Sequence, residues 1–97
     1  MRYRRVFVPG ATYFFTVNIA DRSQTVLVDY VDVLRSSIRW VKHNHPFDID
    51  AIVILPDHLH TIWTLPQNDA DFPVRWNLIK AAFSRTLPRN ERISASP

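Results

Sequence analysis

The chain has 97 residues with no cysteine and one glycine, and its 46% hydrophobic and 12% aromatic content is that of a packed globule rather than a disordered tail. One domain with its own core fits in this length, while disulfides and thiolate metal sites are excluded. The net charge of +3 is unevenly placed: residues 1–5 carry three arginines and no acid, residues 73–97 are net +4, and residues 6–72 are net −4. Basic charge collected at both ends suggests contact with a polyanion, although terminal arginines also solvate frayed ends. The longest apolar run, Ala51–Leu55, is too short to cross a bilayer, and the basic start is not followed by an apolar segment with a cleavage site. The expectation is a cytoplasmic chain with no membrane partner.

Pro9-Gly10 signals a turn, and Ala11–Ile19 then reads as a strand rich in β-branched and aromatic residues. Tyr13, Phe15, Val17 and Ile19 form its core face; Thr12, Phe14, Thr16 and Asn18 form a more polar face open to water or a ligand. A polar connection, Asp21–Gln24, leads to a helix predicted from about Val28 to Lys42, with Leu27, Tyr30 or Val31, Leu34, Ile38 and Val41 in one apolar stripe. Pro46 ends it, and the His43-Asn44-His45 run at its frayed end suits carbonyl capping better than metal binding. Phe47–Leu55 becomes continuously apolar from Ala51, which predicts a central strand.

A tight Pro56-Asp57 turn joins that strand to His58–Leu65 in an antiparallel hairpin, with Asp57 in a turn role. Leu59, Thr61, Trp63 and Leu65 face the core. Asp71 caps a last helix reaching about Leu87, with Pro73 in its first turn. This helix buries Phe72, Trp76, Ile79 and Phe83 and leaves Arg75, Lys80 and Arg85 on exposed flanks. Pro88 stops it, and residues 89–97 have no periodicity and are expected to be disordered. No repeat or linker divides the chain, so residues 1–97 read as one domain. The expected fold class is α+β: an antiparallel sheet with two helices on one face in the order β-α-β-β-α, short of a fourth strand.

His58 and His60 project from one face of a strand, separated by an apolar residue, and so make a ready pair of metal ligands. Two ligands fall short of the three usual at a catalytic zinc site; Asn18, on the polar face of the first strand, is one geometric candidate for an oxygen ligand. No G-x-S-x-G motif is present, and a single glycine excludes phosphate-cradling glycine loops.

The runs RYRRVFVPGATYFFTVN, IRWVKHNHPF, AIVILPDHLHTIWTLP and RWNLIKAAFSRTL, spanning about residues 2–92, resemble the REP-associated tyrosine transposases, single-tyrosine members of the HUH superfamily. The resemblance implies a ferredoxin-like αβ sandwich whose open sheet face carries His58 and His60 as ligands to Mg²⁺ or Mn²⁺, held against a scissile phosphate of single-stranded DNA. It further implies that Arg2, Arg4 and Arg5 help recognise hairpin DNA; the charge pattern adds Arg75, Lys80 and Arg85 as candidate nucleic-acid contacts. In the family a tyrosine on a later helix attacks the phosphate, leaving a 5′-phosphotyrosine and a free 3′-hydroxyl. Here tyrosine occurs only at positions 3, 13 and 30, and none matches that position. The expectation is therefore a transposase-type domain without its nucleophile, a fragment that binds DNA and does not cut it. A non-catalytic module for hairpin or single-stranded DNA is the alternative, and a ferredoxin-like homodimer with an incidental histidine pair is a third reading.

Overall fold

The computed structural model describes residues 7–19 and 25–87 and the backbone of 95–96; Arg2, Arg4 and Arg5 lie outside the described residues. Strand β1 is Thr12–Ile19, helix α1 is Val26–Asp29, α2 is Val31–Asn44, β2 is Asp48–Ile54, β3 is His58–Thr64, α3 is Phe72–Thr86 and β4 is Ala95–Ser96. All neighbours in the sheet are antiparallel, in the order β2-β3-β1-β4. That is the ferredoxin-like order, with two strand–helix–strand crossovers placing the helices on one face. The fourth strand, expected to be absent, is represented by Ala95 and Ser96 against Ile19 and Asn18.

Period-two burial carries β1 and β3. Tyr13, Phe15, Val17 and Ile19 are buried, as are Leu59, Thr61, Trp63 and Leu65, and the residues between them are not. The buried faces meet α3 in an aromatic cluster. Trp63 stacks on Trp76 with centroids 4.4 Å apart, Phe15 meets Trp76 edge-on at 5.4 Å, and Phe47 lies 4.3 Å from Trp63. Each such pair contributes on the order of 1 kcal/mol beyond its buried area. Thr61 is fully buried yet satisfied, because its hydroxyl donates to the Ala51 carbonyl at 2.9 Å.

The predicted first helix is two segments. Tyr30 adopts φ −117° and ψ 35°, which breaks the helical path, while Val26 and Leu27 of α1 remain in the core. Helix α3 follows its prediction: Asp71 accepts from the Val74 N–H at 3.2 Å, and a proline occupies the first turn. Strand β2 does not. It is an edge strand, paired on one side only with β3 among the described residues. Its unbroken apolar run has a different cause from central placement. A bulge between Ile49 and Ala51 sets Ile49, Ile52 and Ile54 opposite Trp63, Thr61 and Leu59 on the helix side, and leaves Ala51 and Val53 opposite Ile62 and His60 on the open side.

Gly10 is needed where it stands. Its φ of +73° is left-handed, its N–H donates to the Asp69 carbonyl at 2.9 Å, and a Cβ there would sit 3.3 Å from the Gln67 Cα. The turn thereby ties the entry of β1 to the loop that precedes α3. Tyr13 reinforces it, because its hydroxyl accepts from the Val8 N–H at 2.8 Å and donates to the Val8 carbonyl at 2.9 Å.

Candidate metal and nucleic-acid site

The uncovered sheet face is built from the alternate residues of the three long strands. His58 and His60 project there, with Asn18 opposite His58 and Thr16 opposite His60 across the β1–β3 ladder. The Pro56-Asp57 hairpin fixes the start of β3: the Leu55 N–H donates to the His58 carbonyl at 2.8 Å, and the Ile19 N–H donates to the Asp57 carbonyl at 2.8 Å. The two imidazoles lie 5.0 Å apart, centroid to centroid, with ring planes at 80°. They are partly buried and held on a rigid element, which is what a ligand pair requires.

Both rings are anchored by the same atom. His58 Nδ1 lies 2.7 Å from Asp57 Oδ1, and His60 Nδ1 lies 2.9 Å from Thr16 Oγ1. A carboxylate only accepts, so His58 Nδ1–H is the donor, and in the neutral ring Nε2 carries the lone pair. The Thr16 hydroxyl can accept from His60 in the same way. In each ring Nε2 is then the nitrogen left for an outside ligand, the orientation that partners behind a metal-bound histidine impose. Asp57 is therefore more than a turn former. The signal was present in the sequence as an acid adjoining the histidine, whereas Thr16 becomes visible only once the register of β1 against β3 is known. Among the described residues no group of three or more His, Cys, Asp or Glu side chains is placed to hold a metal ion. His45 caps α2, its N–H donating to the Val41 carbonyl at 2.7 Å.

Phe14 lies on the same face, 53% exposed, with its ring stacked on His60 at 5.7 Å and 16°. Farther along, Thr64 donates to Asp50 at 2.6 Å, so the 2.8 Å contact between Thr12 and Thr64 has Thr12 as its donor. This polar chain crosses all three long strands.

The three cations expected on α3 belong to the other layer, since α3 packs on the buried face of the sheet. Arg75 was expected on an exposed flank and is instead 2% exposed. Its Nε donates to the His45 carbonyl at 3.1 Å. Its two terminal nitrogens donate to both carboxylate oxygens of Asp69, at 3.1 and 2.9 Å, and to the carbonyls of Asp71 and Pro46, at 2.9 and 2.8 Å. With its donors engaged in this way, Arg75 joins the end of α2 and the loop before α3 and has none left for phosphate. Hydrogen bonds from Arg75 hold the Asp69 carboxyl below its ordinary value of 3.8. Lys80 is half-buried beside Ile79 and Phe83, and desolvation lowers its pKa to about 8. Arg85 is exposed in the last turn of α3, as expected. Among the described residues, no helix is long and apolar enough to cross a membrane.

Fold and site together define a ferredoxin-like α+β domain that presents an anchored histidine pair on an open sheet face. No protein-family model matches the chain. It is 48% identical over 82 residues to the REP-associated tyrosine transposase of Escherichia coli K12, an alignment covering 84% of this chain and 50% of that protein. A Haemophilus influenzae protein assigned to the same family is 41% identical over 90 residues, covering 93% and 51%. A solved REP-associated tyrosine transposase bound to a REP hairpin superposes with a TM-score of 0.89 at 42% identity, covering all of this chain and 58% of that one. A transposase structure from Deinococcus radiodurans R1, at 21% identity, has the same fold, with a TM-score of 0.60 over 88% of this chain and 65% of that one. This chain belongs to the REP-associated tyrosine transposase family and spans about half the length of the curated relatives it matches.

Proposed function

We propose that this chain supplies the phosphate-binding half of a single-strand DNA transposase of the HUH kind, with His58 and His60 as ligands to Mg²⁺ or Mn²⁺. The observation that carries this reading is the paired anchoring of the rings through Nδ1, by Asp57 and by Thr16, which leaves both Nε2 atoms to a metal. A divalent cation so held supplies positive charge against a phosphoryl oxygen. Asn18, across the ladder from His58, would add an oxygen ligand, and the substrate phosphate would take a further position. Phe14, half-exposed and stacked on His60, offers a ring face to a neighbouring base. The relative solved with a REP hairpin supports hairpin DNA as the ligand, and the charge of Arg2, Arg4 and Arg5 suits them to its phosphates.

Neither tyrosine among the described residues is positioned on this reading to attack a phosphate at the histidines. Tyr13 lies on the buried face of β1, across the sheet from the histidines, and its hydroxyl is committed to Val8. Tyr30 sits at the junction of α1 and α2 in the helical layer. On this reading the chain binds DNA and metal without cutting.

Calorimetric titration with Mn²⁺ tests the metal assignment: weak binding lost in His58→Ala/His60→Ala supports it, and binding unchanged in that variant overturns it. A labelled single-stranded hairpin should bind with steep salt dependence and form no covalent adduct in Mg²⁺. An adduct would show that one of the three tyrosines is active.

A further inference from the structure

A second surface lies on the helix side of the molecule, across the sheet from the histidines. Between α2 and the edge strand β2 runs an open groove of about 550 Å³, floored by Ile49, Ile52 and Ile54 and walled by Arg35, Arg39 and Lys42. The three cations recur at four- and three-residue spacing along one side of α2, and none forms an ion pair with a described residue. Three unpaired cations above an aliphatic floor call for an anionic partner that also brings apolar surface.

The rim of the groove decides between peptide and nucleic acid. On its outer side β2 pairs with no described strand, so alternate N–H and C=O groups there are available to another chain. The bulge between Ile49 and Ala51 and the exposed Asp48 and Asp50 blunt its first half. Ala51–Ile54 carries no charge and no proline, and Ile52 is 38% exposed. A nucleic-acid strand would use the cations, but its phosphate backbone only accepts and leaves the carbonyls of a strand edge unmatched, and this groove offers its bases no aromatic ring. A second copy pairing through β2 would bring two such cationic walls to one interface.

We infer that the groove is a docking site for an extended acidic peptide, which adds to β2 beside Ala51–Ile54 and sets its carboxylates against Arg35, Arg39 and Lys42. Main-chain pairing supplies the affinity and the cation row selects the sequence. Alternation in the added strand turns every second side chain toward α2, so a glutamate at each of those positions lays its methylene stem over Ile52 and Ile54 and its carboxylate against the cations. The assignment is independent of the metal site, on the other face of the sheet.

A fluorescein-labelled peptide of alternating valine and glutamate, titrated by anisotropy against the full chain, tests it. Expected results are saturable binding, loss of about tenfold or more in affinity in Arg35→Glu/Arg39→Glu, and no change in His58→Ala/His60→Ala. The same peptide N-methylated at alternate residues should not bind, and this control leaves the protein's fold untouched. Equal binding of the methylated peptide overturns strand addition. Equal binding of a valine–lysine peptide overturns the role of the cations. Oligothymidylate that binds more tightly than the peptide and loses affinity in Arg35→Glu/Arg39→Glu reassigns the groove to nucleic acid. A dimer in sedimentation that dissociates in Ile52→Lys reassigns the edge to a second copy.

Discussion

Replacing Arg75 with methionine separates a structural cation from a DNA contact. The side chain makes five hydrogen bonds, two to the Asp69 carboxylate and three to the carbonyls of His45, Pro46 and Asp71. Methionine fills much of the same volume and supplies none of them. Breaking a buried charged pair by removing one partner costs about 3–5 kcal/mol. Asp69 is 33% exposed and Pro46 is at the surface, so water can replace part of what is lost. The lower end, about 3 kcal/mol, is expected, which is on the order of 12–24 °C in Tm for a domain of this size. Because Asp69 titrates below its ordinary 3.8, the stability from this pair is fully present above that value. It is lost as the pH falls through the lower folded-state value. Urea unfolding at pH 7 and pH 3 should show the gap between wild type and Arg75→Met narrowing in acid. Hairpin affinity per folded molecule should not change. Stability within 0.5 kcal/mol of wild type, roughly the range of an ordinary surface substitution, together with weakened DNA binding would refute the reasoning.

Three other outcomes follow from the same geometry. Lys80 has a folded-state pKa of about 8 against 10.5 for the free side chain, so between those values the unfolded chain binds more protons. Stability attributable to Lys80 should therefore rise with pH across that window, and Lys80→Met should remove the rise in urea titrations. Gly10→Ala forces a side chain into left-handed backbone against Gln67 and should cost about 1 kcal/mol by thermal unfolding. Asp57→Ala and Thr16→Val each remove the partner that orients one imidazole, and each should weaken Mn²⁺ affinity by about 10–100-fold with little change in Tm.

The alternation in β1 and β3 was legible because each strand has one wet face, and period-two reading then places every side chain. The same rule misplaced β2. An edge strand with apolar residues on both sides gives the same run of letters as a central one, and only the bulge after Ile49 distributes them. Arg75 was misread for a different reason. It stands three residues after Phe72 and four before Ile79, squarely within the apolar stripe of α3, so its position signalled burial and its charge argued against it. Spacing decides which way a helical residue faces, and Asp69 and the three carbonyls make that burial tolerable. The shared open face of His58 and His60 followed from two-residue spacing alone. Their anchors required the hairpin geometry and the β1–β3 register, which no local pattern encodes.

The central claim is that His58 and His60 act together as metal ligands through Nε2. Substoichiometric Mn²⁺ added to the isotopically labelled chain, followed by NMR of the imidazole and backbone signals, tests it most directly. The account predicts selective broadening of the His58 and His60 rings, extending to the Asn18 and Thr16 amides and sparing His43 and His45. Broadening centred on His43 and His45, or spread evenly over the acidic surface residues, would contradict it.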